Sequence, residues 1–234
     1  MTDWRSYVGG IESAVSAAYV SMAADPSQPS PFRPGHSLAT AAGYPDELLE
    51  LLPAETVAAF CGVSDLSMWA DLKPGQKVLD VGCGSGMDTV IASARVGPQG
   101  HVVGLDFCPA MLARARSSAQ QAGLTNVTLQ AGDAWSLPWI EGGFDAVLAN
   151  GIFNLNERRT AIMREIFRAL RPGGKAYLSE LVRTSPPVGA RELATEPTQR
   201  QRRGSGSQLP GHQVKVRSEA APWSGRNRED FTNR

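Results

Sequence analysis

The chain has 234 residues, 42% of them hydrophobic, with 23 basic and 23 acidic side chains. That is enough apolar material for one α/β domain with appendages, and the near-zero net charge speaks against a chain built to bind nucleic acid. No apolar run approaches the roughly 20 residues that a membrane-spanning helix needs. The N-terminus lacks the basic-then-apolar order of a signal peptide, and Cys61, Cys83 and Cys108 have no metal-like spacing. The expectation is a cytoplasmic protein with no metal site.

In chain order, Ile11, Val15, Ala18 and Met22 fall at helical spacing. Asp25 to Pro34 carries four prolines and reads as a loop. Leu48, Leu49 and Leu52 predict a short helix, Val57, Phe60 and Cys61 another, and Ser64 or Asp65 is placed to cap a third. Residues 1–72 therefore read as an N-terminal helical cap. Its polar candidates for touching a substrate are Tyr19, His36 and Tyr44.

From Lys73 strand and helix patterns alternate. Strands are predicted at Lys77–Val81, His101–Asp106, Val127–Gln130, Phe144–Ala149 and Ala176–Val182. Helices are predicted at Met87–Val96 and Pro109–Ala122, the latter with proline at its first position and Gly123 as its stop. A further helix is expected after a cap at Asn156, with Ile162, Ile166 and Leu170 as its inward stripe and Pro172-Gly173-Gly174 as the turn that follows. Repeated β-α-β units imply a doubly wound, mostly parallel sheet with right-handed crossovers. Residues 73–183 form this core.

The periodicity stops near Thr184. Residues 184–234 are rich in Arg, Ser, Gly, Pro and Gln and hold few large apolar side chains, so they cannot bury enough surface to fold alone. Two origins fit: a natural disordered tail, or translation of a GC-rich gene out of frame. Without a further strand, strand five becomes an exposed edge open to self-association.

Val78-Leu-Asp-Val-Gly-Cys-Gly-Ser-Gly86 carries the strongest functional signal. A short apolar strand breaks into Gly82, Gly84 and Gly86, a turn bare enough for a ligand to lie on main-chain N–H groups at a helix start. The dinucleotide fingerprint wants its third glycine at the sixth position, where this chain has Met87, so an NAD(P)-dependent oxidoreductase is the weaker alternative. In an open α/β sheet the ligand sits at the carboxyl ends of the strands. Asp106 ends strand two, about 20 residues past the glycines, where a carboxylate accepts from ribose hydroxyls. Asp133 with Ala134 follows strand three and suits an adenine amine. Asn150 with Gly151 ends strand four at the expected reaction edge.

Asp80-x-Gly-x-Gly-x-Gly86 resembles motif I of the class I S-adenosylmethionine (SAM) methyltransferases. Asp106-x-x-Pro109-x-Met111, Gly132-Asp133-Ala134, Leu137-Pro138, Phe144-Asp145 and Leu170-Arg171-Pro172-Gly173-Gly174 extend that resemblance over residues 73–182. It implies a Rossmann-like fold, SAM as cofactor, and methyl transfer to a small-molecule acceptor. It also assigns Gly82, Gly84 and Gly86 to the methionine moiety, Asp106 to the ribose, Asp133 to the adenine, and Asp80 to the loop and the cofactor's ammonium. Gly43-Tyr44-Pro45, Leu52-Pro53-Ala54-Glu55 and Asn150-Gly151-Ile152-Phe153-Asn154-Leu155 look like the methyltransferase type 11 and arsenite methyltransferase-like branch, with its C-terminal part lost or frame-shifted. That branch carries a cysteine where this chain has Gly151, and trivalent arsenic needs several thiolates. Cys61 alone is placed to lie near a substrate, so arsenite is not the expected acceptor. A SAM-binding protein impaired in catalysis, lacking its C-terminal substrate wall, is the remaining alternative.

Overall fold

The computed structural model describes residues 17–27, 34–139, 142–154 and 156–181. Ile11, Val15 and the tail read as residues 184–234 lie outside the described residues. Residues 17–24 are helical. Four short helices follow: α1 (His36–Ala42), α2 (Asp46–Leu51), α3 (Ala54–Ala58) and α4 (Leu66–Trp69). The core then runs β1 (Lys77–Val81), α5 (Met87–Val96), β2 (His101–Asp106), α6 (Pro109–Gln121), β3 (Val127–Ala131), β4 (Phe144–Asn150), α7 (Arg159–Ala169) and β5 (Leu170–Ser179). The five strands form one sheet in the order β3-β2-β1-β4-β5, and every pair is parallel.

Strand periodicity divides the core into two layers. Leu79 and Val81 of β1, Val103 and Leu105 of β2 and Val147 of β4 face Ile162 and Ile166 of α7. Val78, Val102 and Leu148 point the other way, onto Ala92 and Val96 of α5 and Leu66 of α4. Full burial of each isoleucine contributes roughly 1.5–3 kcal/mol. A third cluster joins Ala39, Tyr44, Val57 and Phe60 of the cap to Met87 and Ile91 of α5, so the cap packs on the first helix after the glycines. Met22 packs with Cys108 and Met111 at the start of α6.

Several boundaries differ from expectation. Asn156 does not cap a helix. Its Oδ1 accepts the Arg158 N–H at 2.8 Å in a turn, and α7 begins at Arg159 without a side-chain cap. Leu170 leaves the helix in an extended conformation and opens β5, yet keeps its place in the core. Strand five therefore starts six residues before Ala176. Pro172-Gly173-Gly174 lies within it, as an irregular stretch where the register jumps from Phe144–Leu170 to Ala146–Lys175. Proline is tolerated there because a bulge needs no ladder donor. Asp65, not Ser64, precedes α4, without capping by its side chain.

Candidate functional site

β1 and β4 are neighbours although α5, β2, α6 and β3 separate them in sequence, so the sheet reverses direction between them. A cavity of about 270 Å³ opens at the carboxyl ends of β1, β2 and β4, where such a reversal leaves a crevice. The glycine turn and Asp106 line one side, residues 59–62 of the cap another, and Trp135 and Ile152 a third.

The glycine loop is built as its residue types demand. Gly84 has φ 53°, and a Cβ there would meet nothing within 4 Å, so its open side faces space. At Gly82 a Cβ would stand 2.4 Å from Ile152 Cγ2, which makes glycine obligatory for the packing of the loop after β4. Gly86 is different. It precedes α5 and lies against Ala115 of α6, and it does not line the cavity. A Cβ there would stand 3.0 Å from the Ala115 Cβ, so the glycine lets the two helices approach closely.

Three buried carboxyls line the cavity: Asp80, Asp88 and Asp106, at 2%, 6% and 6% exposure. Asp106 Oδ2 accepts the Gly84 N–H and Oδ1 the Cys108 N–H, each at 2.8 Å. Burial pushes its carboxyl above the usual range, while these backbone donors and that of Phe107 oppose the shift. Asp80 Oδ2 accepts the Thr89 hydroxyl at 2.6 Å. Burial, with the Asp88 and Asp106 carboxylates beside it, pushes Asp80 up to about 8. No lysine, arginine or histidine among the described residues lines the cavity.

Asn150 also lines the cavity, but its amide is committed elsewhere. Oδ1 accepts from the Val63 and Ser64 N–H groups at 2.9 and 3.3 Å. Nδ2 donates to the Ser64 carbonyl and to Asp88 Oδ2, each at 2.8 Å. These four bonds exhaust its donors and acceptors, so the side chain clamps the cap to the sheet and is not free to orient a ligand. Asp88 completes the clamp by accepting the Tyr44 hydroxyl at 2.5 Å and the Ser67 N–H at 3.0 Å.

Asp133 is exposed and does not line the cavity, whereas its neighbours Gly132 and Ala134 do. Of the cap candidates, Tyr19 lines the cavity, Tyr44 is buried behind it against Asp88, and His36 is exposed beside Asp46 at 3.7 Å. Cys61 lines the cavity and shares a hydrogen bond with Tyr19. Burial pushes its thiol up to about 12, so it is a thiol at neutral pH. The sequence reading gave Asp88, Trp135 and Ile152 no place in the site. Asp88 was visible only as an acid in a first helical turn, a pattern that many helices show for dipole reasons.

A methyltransferase domain family matches residues 72–223, well over half of the chain. The chain belongs to the class I SAM-dependent methyltransferases. The chain is 34% identical over 140 residues to an arsenite methyltransferase of Halobacterium salinarum, covering 57% of this chain and 36% of that protein. It is 38% identical over 126 residues to a demethylmenaquinone methyltransferase of Bacillus cytotoxicus, covering 53% and 52%. It thus spans between about a third and a half of the length of these curated relatives. An arsenic(III) S-adenosylmethionine methyltransferase of Chlamydomonas reinhardtii has a similar crystal structure, with TM-score 0.49 and 29% identity over 63% of this chain and 50% of that one. Among the described residues, no helix of the methyltransferase is long and apolar enough to cross a membrane.

Proposed function

We propose that this methyltransferase binds SAM in the cavity at the ends of β1, β2 and β4 and transfers its methyl group to a small organic acceptor. The observation that carries the reading is the Gly84–Asp106 pair: an open glycine whose N–H is held by a buried carboxylate at the edge of a cavity. The residues present fit the cofactor. Asp106 keeps acceptor capacity beyond its backbone bonds for ribose hydroxyls, the Gly84 face leaves room for the methionine part, and Gly132 and Ala134 leave room for a flat base. Asp133, exposed at the rim, would reach an adenine amine only by turning inward.

SAM supplies a methyl already activated on a sulfonium, so transfer needs alignment and exclusion of water more than a strong base. The cap provides both. Phe60, Cys61 and Tyr19 line the cavity, and the Asn150–Asp88 clamp holds Val63, Ser64 and Ser67, just beyond Phe60 and Cys61. Neither Cys61 nor Tyr19 is a ready base, because burial raises both. This favours an acceptor that is nucleophilic without help from either side chain.

Calorimetry tests the cofactor assignment. Asp106→Ala removes an acceptor for ribose hydroxyls, and hydrogen bonds to a charged group are worth roughly 1.5–3 kcal/mol each. SAM affinity is expected to fall at least tenfold, and unchanged affinity would refute the ribose role.

Two relatives carry names that specify arsenic substrates. Against an arsenite acceptor here stands Gly151, which lines the cavity with φ 82°. Among the described residues no three His, Cys, Asp or Glu side chains gather as a metal would require. Incubation with SAM, glutathione and arsenite is expected to yield no methylated arsenic. Its formation at enzymatic rates would reverse this assignment.

A further inference from the structure

The three carboxyls of the cavity differ in how many donors reach them. Asp88 accepts three: the Tyr44 hydroxyl, the Ser67 N–H and the Asn150 amide. Asp106 accepts backbone N–H groups on both oxygens. Asp80 accepts one, from Thr89 to Oδ2, and among the described residues no donor reaches its Oδ1. A negative charge is stabilised where donors converge and destabilised where burial and like charges meet. When three carboxyls share one cavity, the proton settles on the one that the fewest protein donors reach, which is Asp80.

Resting on the reading of SAM as cofactor, we propose that Asp80 is protonated in the cofactor-free cavity and loses that proton when the ammonium of the cofactor's methionine part enters, so that SAM binding releases a proton. The proton passes to the buffer, and a carboxylate–ammonium pair remains in its place.

Among the described residues no cation faces Asp80. In the sheet it sits between Gly104 of β2 and Leu148 of β4, neither of which ionises. Asp88 faces it from α5 and Asp106 from the end of β2. The Cys83 thiol faces it from the glycine loop and is pushed well up by burial and by Asp106 and Asp80, so it stays neutral. Tyr44 reaches the cluster from the cap through Asp88, and burial keeps its hydroxyl protonated as well. The upward displacement of Asp80 to about 8 agrees with the donor count.

The linkage is read by titrating SAM into the full chain at pH 7 in phosphate and in Tris, buffers with different heats of protonation. The measured heats are expected to differ by an amount equal to the release of up to one proton. SAM affinity is expected to rise by up to tenfold per pH unit from about pH 6 to 8 and to level off above. 5′-Methylthioadenosine, which lacks the amino-acid part, is expected to bind with the same heat in both buffers. Asp80→Asn mimics the protonated acid and should make the SAM heat independent of buffer. If that variant does not fold, Thr89→Val serves instead. It removes the one donor to Asp80 and should move the upper break of the pH profile to higher pH. SAM binding in the wild-type chain with equal heats in both buffers, or proton release with methylthioadenosine, overturns the proposal. Absence of SAM binding at any pH removes the cofactor reading beneath it as well.

Discussion

At the scale of single residues, the Asn150 side chain ties the cap to the end of β4. Its amide has two donor and two acceptor directions, and the Val63, Ser64 and Asp88 partners use all of them. Gly62 must be glycine for this approach, since a Cβ there would come within 2.7 Å of Asn150 Nδ2. Asn150→Ala leaves the Val63 and Ser64 N–H groups and one Asp88 oxygen without a partner, at roughly 1–3 kcal/mol for each buried group left unsatisfied. The expected result is faster hydrogen exchange at residues 63–67 and lost stability, with SAM affinity reduced less than by Asp106→Ala. A larger loss of affinity than in the Asp106 variant would mean that Asn150 contacts the cofactor after all. The sequence placed Asn150 at the end of a strand, and the cavity lies there. It could not show the partners, because Val63 lies 87 positions away.

At the scale of elements, the parallel core was legible because β1, β2 and β4 are apolar and buried on both faces, and α7 carries a 3.6-residue stripe through Ile162 and Ile166. β5 was the exception. Pro172-Gly173-Gly174 has the composition of a turn, and locally nothing distinguishes it from one. Pairing with β4 decides otherwise: five residue steps on β5, from Leu170 to Lys175, are absorbed against two on β4. Among the described residues β5 bonds only to β4, whereas β1 is held between β2 and β4. Amides at 176–179 are therefore expected to exchange faster than those at 78–81. Because an unpaired edge invites a second chain, protection at 176–179 should also rise with protein concentration if the chain self-associates. Equal and concentration-independent protection of both strands would mean that residues beyond Leu181 complete the sheet.

At the scale of the whole molecule, the buried carboxyls set an unusual pH dependence. Asp145 and Glu165 follow the ordinary pattern. Desolvation opposes the backbone N–H of Lys77 and the Arg171 guanidinium at Asp145, and the donors win. At Glu165 the Arg168 guanidinium leads. Their folded-state values are depressed, so the stability they contribute is present above their unfolded value and lost as pH falls through the folded one. Asp80 has the opposite sign. Its folded value, about 8, lies above the unfolded value of roughly 3.9. The stability it contributes is complete below about pH 4 and is lost as pH rises toward 8, with a slope of at most about 1.4 kcal/mol per pH unit. The cofactor-free chain is thus expected to melt at a lower temperature at pH 8 than at pH 5. Asp80→Asn should flatten that dependence, and a rising melting temperature over the same window in the wild type would contradict it.

The order of elements, the parallel sheet, the glycine turn and the position of Asp106 at the end of β2 all follow from local chemistry: periodicity, backbone freedom at glycine, and the rule that α/β ligands sit at strand ends. Gly86 as a helix-packing residue, Asp133 at the rim, the committed amide of Asn150 and the unshared oxygen of Asp80 do not. Each depends on groups brought together from distant parts of the chain: Ala115 against Gly86, Val63 against Asn150, and Asp88 and Asp106 beside Asp80. Composition can place a carboxyl at a strand end. Only packing fixes how many donors reach it and how much water it loses, and those two quantities decide whether it holds a charge or a proton.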